Sequence, residues 1–93
     1  MPLFTALLEF DGGTYISQLR STSPIRAAKK YAAQLVTNEA LGTPTVRKSL
    51  ATAVSGEKPV AVDGVRNVWC CAVSVGNKLA LLNIIQTNDD TQH

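Results

Sequence analysis

Histidine is almost missing from this 93-residue sequence: the single one, His93, is the last residue. Histidine acid–base catalysis and histidine metal sites therefore have almost no material to work with. Cysteine is nearly as scarce, and the two present are neighbours, Cys70 and Cys71. Adjacent strand residues point to opposite faces, which disfavours a disulfide between them and agrees with a reducing compartment. A pair without C-x-x-C spacing does not make a zinc site either. Aromatic residues are 5% of the chain and charged ones 17%, below the usual ~25% for charge. No apolar run approaches the roughly 20 residues of a membrane span. The start, Met1 to Glu9, lacks the basic segment and small-residue cleavage site of a signal peptide, so the expected location is the cytoplasm. Gly12-Gly13 is not followed by the Lys-Ser/Thr of a phosphate loop.

What is present is 45% hydrophobic residues, enough for one modest core of a single domain. The expected extent of that domain is residues 1–86, with 87–93 as a disordered polar tail.

Alternation over Leu3 to Phe10 puts Phe4, Ala6, Leu8 and Phe10 on one side of a strand. Asp11-Gly12-Gly13 supplies the turn, and Thr14 to Arg20 reads as the returning strand. Ser23-Pro24 opens a helix, with serine as cap and proline at the first helical position. Its apolar stripe reads as Ile25, Ala28, Ala32, Leu35 and Val36, and its end falls between Asn38 and Gly42. Thr43-Pro44 repeats the capping logic, and Val46, Leu50 and Val54 suggest a second, short helix over 44–54. Val60 to Val62 reads as a short extended piece. Val68 to Val75 and Lys78 to Gln86 form a second hairpin around Gly76-Asn77. The expected fold class is α+β: a four-stranded, mainly antiparallel sheet in the order ββα(α)ββ, with one long helix and a shorter second one packed on it.

Both sides of these strands are apolar. Opposite Phe4 and Leu8 stand Leu3 and Leu7; the third and fourth long strands likewise carry aliphatic residues on each face. An antiparallel sheet covered on one side alternates apolar with polar. The excess points to self-association, expected as a homodimer through the second face or an edge strand. The candidate interface is Leu3, Leu7, Trp69 and Val73, with Trp69, the largest side chain, as anchor.

Charge is unevenly placed. Arg20, Arg26, Lys29, Lys30, Arg47 and Lys48 face only Glu39 between positions 20 and 48, giving that stretch +5 within a chain of net +2. These six are the candidate polyanion-binding residues, although few aromatics are available to stack on bases. Glu9, Asp11 and Asp63 sit beside turns, where acids commonly serve as turn formers. Tyr15, Ser17 and Gln18 give the second strand hydrogen-bonding side chains. No catalytic, metal or cofactor residue is assigned, and the expected class is not an enzyme.

The stretch Phe4-Thr5-Ala6-Leu7-Leu8-Glu9-Phe10-Asp11-Gly12-Gly13-Thr14-Tyr15-Ile16-Ser17-Gln18, followed by a capped alanine-rich helix, resembles the N-terminal half of HicB-like small α+β proteins. The resemblance covers about the first 38 residues. It implies an oligomerising antitoxin-like partner of a small RNA-cleaving toxin. Ser21-Thr22-Ser23 replaces the family's extended Pro-Gly-Cys and Gly-Asp-Thr elements, and the chain closes on a β-hairpin rather than a DNA-reading module. The leading expectation is a non-enzymatic interaction or regulatory module that self-associates through its sheet. The alternatives are a nucleic-acid binder using the basic helix face and an antitoxin-like partner.

Overall fold

The computed structural model describes residues 1–88. Strands β1 (Leu3–Phe10) and β2 (Gly13–Arg20) form the first hairpin. Helix α1 (Pro24–Leu35) and helix α2 (Pro44–Gly56) follow, joined by a 3-10 turn at Glu39–Leu41. Strands β3 (Val60–Ala61), β4 (Val68–Val75) and β5 (Lys78–Thr87) complete one antiparallel sheet in the order β2-β1-β5-β4-β3. The α+β class and the antiparallel sheet agree with the sequence reading. The strand count does not: Val60–Ala61 pairs with Trp69 and Cys70 as a fifth strand. The second helix, at 13 residues, is no shorter than the first at 12.

Local chemistry explains each boundary. Asp11 and Gly12 both take positive φ, 49° and 81°, which a two-residue hairpin turn of the I′ kind requires. Ser23 and Thr43 each accept a hydrogen bond from the backbone three residues on, Arg26 N and Val46 N, and a proline follows each cap. Helix α1 stops at Leu35, before the expected Asn38; there the chain breaks into the 3-10 turn, capped by Asn38 through Ala40 N.

Both helices lie on the same side of the sheet. Phe4, Ala6, Leu8 and Phe10 of β1 are buried there with Ala80, Leu82 and Ile84 of β5. Helix α2 contributes Leu50 and Val54, each fully buried. The buried stripe of α1 is Ala27, Ala28, Tyr31, Ala32 and Leu35. Ile25 and Val36, expected in that stripe, are 38% and 37% exposed. Ile25 stands in the first turn beside the end of α2, and Val36 is the C-cap, past the last helical residue. Alanines on the stripe let α1 approach closely, and Tyr31 fills the remaining volume. Thr87, expected in a disordered tail, ends β5 opposite Leu3; 89–93 lie outside the described residues. No helix among the described residues is long and apolar enough to cross a membrane.

Candidate interaction surface

The two helices leave the other side of the sheet uncovered. Directly paired residues share a face, so the register writes that surface out in rows. One row crosses all five strands as Ile16, Leu7, Asn83, Cys70 and Val60. The next towards the β1–β2 turn holds Thr14, Glu9, Leu81 and Ala72. On the other side come Gln18, Thr5, Ile85 and Val68. Aliphatic Leu7, Leu81 and Ile85 surround a central Asn83, and among the strand positions of this face only Glu9 and Arg20 are charged. Ile16, Leu79 and Val60 are 65%, 58% and 68% exposed. At the end where β1 begins, a polar ladder runs from Gln18 Nε2, which donates to Thr5 Oγ1 at 3.1 Å, to the paired hydroxyls of Thr5 and Thr87.

Four residues were expected to share an interface, and the register separates them. Leu3 and Leu7 lie on the uncovered face, half-buried. Val73 is buried on the helix side, and Trp69 packs there edge-on to Phe4. The two pairs point in opposite directions, so Trp69 does not anchor a surface built on Leu3 and Leu7. The members that the expectation omitted are Ile16, Val68, Leu79, Leu81 and Ile85. Their alternation was visible in each strand; the matching of faces between strands was not.

Strand β2 divides in the same way. Gln18 belongs to the uncovered face, whereas Tyr15 and Ser17 reach towards the helical layer. Tyr15 Oη donates to the Ala40 carbonyl at 3.3 Å, and Ser17 Oγ donates to Gln34 Oε1 at 3.5 Å.

The basic residues also separate. Arg20, Arg26, Lys29 and Lys30 surround one shallow depression of about 530 Å3 between the end of β2 and the first turns of α1. Lys30 Nζ donates to the Arg20 carbonyl at 2.9 Å, and Arg20 Nη1 donates to the Met1 carbonyl at 3.0 Å. Arg47 and Lys48 sit on α2 and do not line that depression; Arg47 is half-buried, with its Nε enclosed and unpaired. Of the acids, Asp11 holds Lys78 at 2.8 Å across the tips of the two long hairpins.

The cysteines occupy opposite faces of β4. Cys70 is half-buried on the uncovered side and Cys71 is buried under the helices. Burial above all, with smaller contributions from Cys70 and Glu57, pushes the Cys71 thiol up to about 11, so it stays protonated and unreactive near neutrality. Burial likewise pushes the Tyr31 hydroxyl up to about 12. No cluster of three or more metal-ligating side chains occurs among the described residues.

Comparison of the chain with family models, with curated proteins and with solved structures finds no match.

Proposed function

We propose that this protein is a non-enzymatic interaction module that self-associates through its sheet, its partner being a second copy. The observation that supports this most is the helix-free side, where Leu7, Leu81, Ile85 and Val68 cluster across three strands and Ile16 and Leu79 stand well exposed. Eight-residue strands at about 3.4 Å per residue and 4.8 Å apart give that side a footprint of roughly 500 Å2. Aliphatic side chains occupy part of that footprint, around Thr5, Glu9 and Asn83, and contiguous apolar patches of roughly a few hundred Å2 on soluble monomers are often working surfaces. Sedimentation equilibrium across the micromolar range tests the reading. A mass near twice 9.9 kDa supports it, and a 9.9 kDa species at every concentration removes it. The HicB-like pattern of the first 38 residues suggests a variant of the same reading, in which a small toxin is a further protein partner.

The convergence of Arg20, Arg26, Lys29 and Lys30 on one depression favours a second reading, a polyanion or nucleic-acid contact. Filter binding of single- and double-stranded nucleic acid at two salt concentrations separates it from the first. Retention that falls with salt supports it; absence of retention at low salt removes it.

A further inference from the structure

The two edges of the sheet are unlike. Strand β3 is two residues long, too short to template another strand. Strand β2, at the other edge, has eight residues, no proline and no bulge in its pairing to β1. Long regular edges of this kind are normally shielded, because their unpaired N–H and C=O groups recruit another strand.

Which groups β2 presents follows from its hairpin. The turn at Asp11-Gly12 makes Phe10 and Gly13 a hydrogen-bonded pair, and such pairs recur at every second residue. Gly13, Tyr15, Ser17 and Leu19 therefore direct their main-chain groups towards β1. Thr14, Ile16, Gln18 and Arg20 direct theirs outward. The hydrogen bond from Lys30 Nζ to the Arg20 carbonyl fixes that direction and occupies the last outward oxygen. Thr14, Ile16 and Gln18 remain, all three exposed, and Ile16 at their centre keeps 65% of its surface in solvent.

We propose that β2 pairs antiparallel with β2 of a second copy about a two-fold axis at Ile16, joining the two sheets edge to edge. This rests on the self-association reading but places the joint at the edge of the sheet, leaving the helix-free face of both copies open. In an isologous pair, outward residues must face outward residues for hydrogen bonds to form. Among the symmetric registers, the one centred on Ile16 engages all three: Thr14 with Gln18, Ile16 with Ile16 and Gln18 with Thr14. Moving the centre towards Tyr15 strands Gln18, and moving it towards Ser17 calls on the carbonyl that Lys30 holds.

The side chains fit this register. Ile16 meets its own copy beside Leu7, its partner on β1, so an aliphatic row runs unbroken from one sheet into the other. Arg20 comes opposite Gly12 of the second copy, bringing the basic end formed with Lys30 towards the turn that carries Asp11. Asp11 is already paired with Lys78, so the main-chain register and the Ile16 contact carry the joint, and each Lys30 lies at the far end from its copy.

Amide hydrogen exchange by NMR on the unaltered protein, with sedimentation in parallel, tests the joint. The amides of Thr14, Ile16 and Gln18 are expected to be protected, and more so as concentration rises. Ile16→Pro removes an outward N–H while sparing the bonds of Tyr15 and Ser17 to β1, so a folded variant is expected with dimer affinity lowered about a hundredfold. A dimer in which those three amides exchange like unpaired ones, or a folded proline variant that dimerises normally, overturns the joint and leaves the self-association reading standing. A monomeric wild-type protein removes both. Should the proline variant fail to fold, the wild-type exchange rates decide.

Discussion

The ring of Trp69 stands edge-on to Phe4, with centroids 6.3 Å apart and planes at 62°. Phe4 is 1% exposed, and Trp69 packs against the same core from β4. Edge-to-face pairs contribute about 0.5–1.5 kcal/mol beyond the area they bury.

Trp69→Ala is therefore expected to act on stability and to leave association alone. The expected loss is about 2–4 kcal/mol in urea unfolding, towards the low end for large-to-small aromatic changes because Trp69 is only half-buried. The dimer constant, measured well below the unfolding midpoint, is expected to stay within about twofold of wild type. A weakened dimer of unchanged stability would return Trp69 to the interface.

Leu50, fully buried on α2, tests how far the second helix belongs to the core. Leu50→Ala is expected to cost about 3–5 kcal/mol. A loss below about 1 kcal/mol would mean that α2 is not packed as described.

Two glycines separate backbone strain from helix propensity. Gly42 holds φ 127° and ψ −153°, a conformation open almost only to glycine, and hands the chain to the Thr43 cap. Gly42→Ala is expected to cost about 2–3 kcal/mol. Gly56 closes α2 at ordinary φ, and an added methyl there meets nothing within 4 Å. Gly56→Ala is expected to be neutral or to stabilise by up to about 1 kcal/mol. Thermal unfolding of both variants checks the contrast.

High pH is expected to destabilise the fold through Cys71 and Tyr31. Each holds its proton more tightly when folded, with the values raised from 9.0 to about 11 and from 10.0 to about 12. The folded state then binds more protons than the unfolded one between those limits, so stability is intact below pH 9, falls between about 9 and 12, and levels off above. At about 1.4 kcal/mol per pH unit, each rise sets an upper bound of about 2.7 kcal/mol per group, and solvent screening brings the expected loss to about 1–2 kcal/mol. Urea midpoints measured from pH 8 to 12 check the window. Replacing Cys71 by alanine is expected to flatten its lower half, and an unchanged slope between pH 9 and 11 would exclude the thiol as a cause.

Features carried by neighbouring residues were legible in the sequence. Asp11-Gly12 announced the first hairpin, and Ser23-Pro24 and Thr43-Pro44 announced the helices, because turn and cap chemistry acts within about four residues. Val60–Ala61 was read as extended but not as part of the sheet, since two residues carry no periodicity and gain their strand character from Trp69 and Cys70. Trp69 and Val73 were joined to Leu3 and Leu7 because alternation sorts the faces of one strand without saying which face of its neighbour matches. That matching is fixed by register across β5. The Lys30 contact with Arg20 was equally out of reach, for it depends on how α1 lies beside the end of β2.

The central seam of the sheet, where β1 meets β5, joins the first long strand to the last: Leu3 lies opposite Thr87 and Leu8 opposite Leu82. A chain emerging from the ribosome thus completes its first hairpin and both helices while the slot between β1 and β4 is still empty. Phe4, Ala6 and Leu8 have no β5 beside them until Lys78 to Thr87 has been made. Synthesis, rather than local propensity, sets the earliest moment at which this fold can close. Over that interval the half-built sheet has a bare inner edge as well as its outer one, and it is then that the nascent chain is most open to pairing with the wrong strand.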